Sequence, residues 1–241
     1  MKRILYSTFL IFAFLFTCSN DSMDNQEITS PENPDNPAAI TYKYLALGDS
    51  YTIGESVCQS CRFPVQLSDS LTERLPDSSI DLDIIAQTGW TTTNLQEAIL
   101  SRNLQNNYDL VTLLIGVNNQ YQGKDFAIYE EEFIELLDTA IEFADGDKNK
   151  VIVISIPDYA YTPFGQIRPN PAEISQEIDR YNSYARDVAA ANNVSFINIT
   201  DITREGLENP ALVASDGLHP STEAYSRFVE RLVPIALQRI Q

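Results

Sequence analysis

Histidine is almost missing from this chain: His219 is the only one in 241 residues. Cysteine is scarce as well, at three. A structural zinc site needs about four nitrogen or sulfur ligands, and nothing pairs with Cys58 and Cys61 to complete one, so neither a metal nor any other cofactor is expected. Basic residues are few: 16 Lys and Arg against 34 Asp and Glu leave a net charge of −18. Such a chain repels phosphate backbones and anionic bilayers alike, which argues against nucleic acid as a partner and against electrostatic membrane binding. Long apolar runs are lacking too, because residues 4–16 fall short of the roughly 20 needed to span a bilayer. There is no internal repeat, and no long apolar insertion of the kind that forms a lid over a lipid site.

What is present gathers around the lone histidine. It stands in Ser215-Asp216-Gly217-Leu218-His219-Pro220, three residues after an aspartate and far downstream of a serine in Leu47-Gly48-Asp49-Ser50-Tyr51-Thr52. A serine hydroxyl is a poor nucleophile at neutral pH, so attack on an acyl carbon needs a base in hydrogen-bond reach and a third group to hold that base's tautomer. Ser50, His219 and Asp216 are the residue types such a relay requires. Gly-Asp-Ser alone is also common turn and helix-cap chemistry, so its context decides. Residues 42–47 form an apolar and aromatic run of strand length that stops at Gly48, placing Ser50 at the carboxyl end of a strand. In open parallel sheets that edge binds ligands.

Two further runs have the same shape. Residues 81–87 lead into Thr88-Gly89-Trp90, and residues 109–115 lead into Gly116-Val117-Asn118-Asn119. Acyl transfer builds negative charge on the carbonyl oxygen, and fixed donors aimed at it supply much of the catalysis. The backbone N–H groups of Ser50 and Gly89 and the side-chain amide of Asn118 are candidates. Taken singly, Gly89 can equally be a turn residue, Asn118 a loop cap and Asp216 the N-cap of a short turn.

Together, and in this order, Gly48-Asp49-Ser50-Tyr51, the Gly89 block, Gly116-x-Asn118 and Asp216-x-x-His219 resemble the SGNH hydrolases, also called the GDSL esterase/lipase family. The resemblance covers roughly residues 42–240. It implies that Ser50 is the nucleophile, His219 the base, Asp216 its orienting partner, and Ser50, Gly89 and Asn118 the oxyanion donors. The family name has Leu where Tyr51 stands here, a departure that bears on substrate class and leaves the chemistry alone.

The rest of the chain alternates strand and helix patterns. Helices are expected over 62–75, 93–104, 126–144, 173–192 and 222–240, and further strands over 150–156 and 194–199. This predicts a three-layer α/β/α sandwich with a five-stranded parallel sheet, flavodoxin-like as in the SGNH hydrolase fold, in one domain over 41–241. Residues 157–164, rich in proline and aromatics, are a candidate wall of the substrate site or simply a packed loop. At the amino terminus Lys2 and Arg3 precede the short apolar run, so residues 1–17 read as a signal peptide. Ending at Cys18, it resembles a bacterial lipoprotein signal, with an ordinary secretory signal as the alternative. Residues 18–40, acidic and proline-spaced, read as a flexible tether. In that oxidising setting Cys58 and Cys61 are expected to form a disulfide.

The expected function is therefore hydrolysis of short acyl esters or O-acetylated glycans by an enzyme held at the cell envelope through lipid on Cys18, its only link to a membrane. A lipase or lysophospholipase acting on membrane-derived lipid is the enzymatic alternative. A catalytically idle glycan-binding protein is the non-enzymatic one, and it has no use for all five site residues.

Overall fold

The computed structural model describes residues 40–240. The expected signal peptide, Cys18 and nearly all of the expected tether lie outside the described residues. In chain order the elements are β1 (Ile40–Gly48), α1 (Ser50–Ile53), α2 (Phe63–Arg74), β2 (Ser78–Ala86), α3 (Thr92–Leu100), β3 (Leu110–Leu114), α4 (Val117–Tyr121), α5 (Phe126–Phe143), β4 (Val151–Ile154), α6 (Pro163–Gln166), α7 (Pro171–Ala191), β5 (Ser195–Ile197), α8 (Thr200–Arg204) and α9 (Thr222–Ile240).

All strand pairs are parallel, and the sheet order is β2-β1-β3-β4-β5. The chain leaves β1 in one direction to lay down β2, then crosses back to build β3, β4 and β5. Because parallel crossovers are right-handed, this reversal puts helices on both faces. Helix α2 packs with α9, and α3 packs with α5, which in turn meets α7. The central strands are accordingly apolar on both sides: every residue of β3 and β4 is buried, as parallel sheets covered on two faces require. Edge strand β2 instead alternates, with Asp81 and Asp83 exposed between half-buried Ile80, Leu82 and Ile84.

The expected architecture is present, with local differences. β1 starts at Ile40, inside the stretch assigned to the tether, because Ile40 pairs with Ser78. The helix expected to run to Leu104 stops at Leu100; Ser101 Oγ donates to the Ala98 carbonyl at 2.8 Å, the kind of side-chain bond that competes with the helical ladder. The strand expected to reach Ile156 stops at Ile154. Beyond it the Asn182 side chain takes over the backbone pairing, accepting from Ile156 N at 2.7 Å and donating to Ile156 O at 3.1 Å.

The topological reversal lies between β1 and β3, and in such sheets the crevice outside the strands' carboxyl ends is where ligands bind. Ser50 follows β1 and Asn118 follows β3. Gly48 permits this closeness: a Cβ there would lie 2.1 Å from Thr52 Oγ1 and 2.4 Å from the Leu114 carbonyl, so only glycine lets α1 turn back against β3.

Candidate active site

The nucleophile candidate sits on a tight strand-to-helix turn. Asp49 caps α1, its Oδ1 accepting from Tyr51 N at 3.0 Å. Ser50 is the first helical residue, so its own N–H has no partner in the helix ladder. Asp49 is fully buried, and its Oδ2 has no hydrogen-bond partner among the described residues. Burial pushes its carboxyl up to about 7 against the opposing backbone hydrogen bonds, including that from Tyr51.

The second block gathers after β2 and β3. Gly89 adopts φ +84° with open space where a Cβ would stand, so the left-handed backbone and not crowding accounts for glycine there. Its carbonyl accepts from Gln122 Nε2 at 3.0 Å. One proton of the Asn118 amide is committed to the Trp90 carbonyl, with Nδ2 to O at 2.9 Å, which leaves the other free. Neighbouring Asn119, buried and overlooked in the sequence, ties this turn to α3: its Oδ1 accepts from Thr92 N at 3.0 Å and its Nδ2 donates to Thr92 Oγ1 at 2.6 Å.

The third block is the loop before α9. Asp216 Oδ1 accepts from the backbone N–H groups of Leu218 at 2.9 Å and His219 at 3.0 Å. Its Oδ2 lies 2.6 Å from His219 Nδ1 and accepts from Ser56 Oγ, also at 2.6 Å. Partial burial opposes ionisation, but these donors outweigh it and hold the carboxyl well below the usual carboxylate range. An ionised carboxylate only accepts, so Nδ1 is the ring nitrogen that donates to it, and in the neutral imidazole Nε2 then keeps its lone pair. The Tyr51 ring packs edge-on against the imidazole, with centroids 5.7 Å apart.

One cavity of about 320 Å³ joins these blocks, lined by Ser50, Gly89, Asn118 and His219 together with Tyr51, Thr88, Val117, Tyr121, Tyr159, Phe164 and Leu218. Ser50 and the imidazole share its wall without a hydrogen bond between them; such contacts are often long before substrate binds. Tyr159 and Phe164 come from the loop singled out in the sequence. Buried Asp158 anchors that loop, accepting from Ala160 N at 3.0 Å, Ser175 Oγ at 2.6 Å and Arg204 Nε at 2.9 Å. Tyr121 and Val117 carried no sequence signal, since apolar residues at helical spacing read equally well as core, and Leu218 none beyond its place between Asp216 and His219. Away from the cavity, Cys58 and Cys61 form a disulfide.

A family model for GDSL-like lipase/acylhydrolase proteins matches residues 46–227. The chain belongs to that family. It is therefore an enzyme of the carboxylic ester hydrolase type. No curated protein matches it in sequence. Among solved structures, TesA aligns over 83% of this chain and 99% of its own, at 19% identity and TM-score 0.62. An acetylxylan esterase from Geobacillus stearothermophilus aligns over 85% of this chain and 96% of its own, at 19% identity and TM-score 0.56. A lipase/acylhydrolase from Enterococcus faecalis aligns over 82% and 96%, at 24% identity and TM-score 0.58. At these identities the likeness speaks for the shared fold alone, and the family hydrolase rests on the family match.

Proposed function

We propose that Ser50, His219 and Asp216 form the catalytic triad of this family member and that Ser50 N, Gly89 N and Asn118 Nδ2 form its oxyanion hole. The observation that carries this is the single cavity onto which Ser50, Gly89, Asn118 and His219 all face, with ionised Asp216 behind the imidazole. Ser50 Oγ attacks the acyl carbon and passes its proton to His219 Nε2. The oxyanion so formed is met by the three donors, and collapse expels the alkoxide, which takes the proton from Nε2. Water then attacks the Ser50 ester with His219 again as base, releasing the carboxylic acid and restoring the serine.

The preferred substrates are short acyl esters or O-acetylated glycans, the aromatic wall of Tyr121, Tyr159 and Phe164 suiting the face of a sugar ring. A lipid-derived ester is the second reading, favoured by the apolar contributions of Val117 and Leu218 to the same wall. Hydrolysis of chromogenic esters of increasing chain length, beside acetylated oligosaccharides, tests the choice. Fastest turnover on acetyl esters supports the first reading, and a rise towards long chains selects the second. If no ester is hydrolysed, or if Ser50→Ala retains the activity, the triad is wrong.

We also propose that the mature chain begins at Cys18, is lipid-modified there and works at the cell envelope. The positively charged start, the short apolar run and the acidic, proline-spaced stretch that follows support this. Cys18→Ser should release active enzyme into the soluble fraction. Native amino-terminal mass spectrometry showing an unmodified terminus would point to a secreted enzyme instead.

A further inference from the structure

Ser56 occupies a position whose backbone suits glycine. Its φ is +66°, in the left-handed region where an L residue with a Cβ is disfavoured and which Gly54, two residues earlier, adopts at φ +74°. Nothing in the packing calls for a side chain there, because Ser56 is exposed. What the side chain does is donate to Asp216 Oδ2 at 2.6 Å, across a sequence separation of 160 residues. Strained backbone held for the sake of one contact is what functional positions tend to show.

The contact falls on a decisive atom. Asp216 Oδ1 is held by N–H groups of its own loop, whereas among the described residues Oδ2 meets only the His219 ring and Ser56. The imidazole must stay free to exchange a proton at Nε2, so it makes a poor anchor for the carboxylate; Ser56 is the one partner of Oδ2 that does not take part in the chemistry. Ser56 is itself fixed to the nucleophile's element. Gly54 N and Glu55 N both donate to the Ser50 carbonyl at 3.0 Å, and Val57 N donates to the Gly54 carbonyl at 3.3 Å. Glu55 also accepts from Thr88 Oγ1, beside Gly89. The dipeptide Glu55-Ser56 thus connects the Ser50 turn to both other blocks.

We infer that Ser56 is a positioning residue, whose hydroxyl fixes the Asp216 carboxylate and through it the register of His219 against Ser50. This rests on the triad proposed above and adds a fourth member that touches no substrate.

The test is Ser56→Gly, which removes the hydroxyl and relieves the backbone together, so a loss of activity cannot come from added strain. Turnover should fall about tenfold, the worth of one hydrogen bond to a charged acceptor, with KM unchanged. Because His219 is the only histidine, its ring protons need no further assignment in a ¹⁵N-histidine-labelled sample, and the Nδ1 proton resonance should move when Asp216 loses a donor. Ser56→Asn, which tolerates the same φ and carries an amide donor, should recover part of the turnover. Asp145→Gly, at φ +56° outside the cavity lining, gives the effect of strain relief alone and should leave turnover as it was. Wild-type turnover in Ser56→Gly, or a loss of turnover with an unmoved Nδ1 resonance, overturns the inference. The triad itself fails separately, if Ser50→Ala stays active.

Discussion

The loop after β1 and the loop before α9 each bring one aspartate to the active edge, and the two behave in opposite ways. Asp49 is fully buried, with one oxygen on Tyr51 N and the other unpartnered. Asp216 keeps about 30% of its side chain exposed and takes four donors. Burial without enough donors raises the first carboxyl to about 7; donors in excess of the burial penalty lower the second. Neighbourhood alone does not decide ionisation: the balance of desolvation against hydrogen bonds to the charged form does. Asp216 can therefore stabilise an imidazolium, and Asp49, near neutrality, serves as the cap that shapes the Ser50 turn.

The largest effect should come from the chemistry that this difference serves. Ser50→Ala and His219→Ala should each lower turnover by roughly 10⁴- to 10⁶-fold, and the double variant should cost little more than either alone, because nucleophile and base act as a unit. Steady-state kinetics on purified variants measures this, and additive losses would mean that the two do not cooperate.

Asp216→Asn sharpens the comparison directly. Replacing the acceptor-only carboxylate with an amide lets Nδ1 lose its proton and Nε2 gain it, so turnover should drop by about 10⁴-fold with the fold intact. Asp49→Asn keeps an acceptor for Tyr51 N and should leave most of the turnover. Equal losses from the two substitutions would erase the functional distinction between the loops.

Asn118→Ala should lose roughly 10²- to 10³-fold in turnover with little change in KM, the range for one oxyanion donor. A lowered melting temperature with wild-type turnover would make Asn118 a loop cap instead.

The smallest effect is on stability against pH, and here the two aspartates should have opposite signs. Asp49 has a folded value near 7, above its ordinary 3.8. Its contribution is complete below about 4 and is lost as pH rises through 7, because the folded state holds the proton more tightly. Asp216 has a folded value below 3.8, so its contribution is complete above that value and is lost as pH falls. Melting temperatures from pH 3 to 9 should show Asp49→Asn flattening the decline between about 4 and 7, and Asp216→Asn flattening the acid side. An Asp49→Asn profile parallel to the wild type would mean that the buried carboxyl titrates normally.

How much of this was legible beforehand varied with how local the signal was. The candidate site residues could be named because serine, histidine, aspartate and asparagine at strand ends serve few other purposes in that combination, and Ser50, Gly89, Asn118 and His219 do line one cavity. The 93–104 helix and the 150–156 strand end earlier than periodicity predicts, because their ends depend on the Ser101 and Asn182 side chains, whose bonds to the backbone leave no mark in hydrophobic periodicity. Tyr121, 44% exposed at the cavity, was missed because an aromatic on a short helix has the same pattern whether it faces a core or a substrate.

By itself, then, the sequence determined the α/β class and the family, and it named Ser50, Gly89, Asn118, Asp216 and His219 as candidates for acyl transfer, since those follow from residue type and short-range order. Only the tertiary structure decided that Ser56 reaches Asp216 across 160 residues, that Asp49 is buried short of donors, and that Tyr121, Phe164 and Leu218 close one wall around Ser50. Each of these depends on which segments a reversing parallel sheet brings together at one edge, and on the desolvation that follows. Neither quantity is a property of any stretch of chain taken alone.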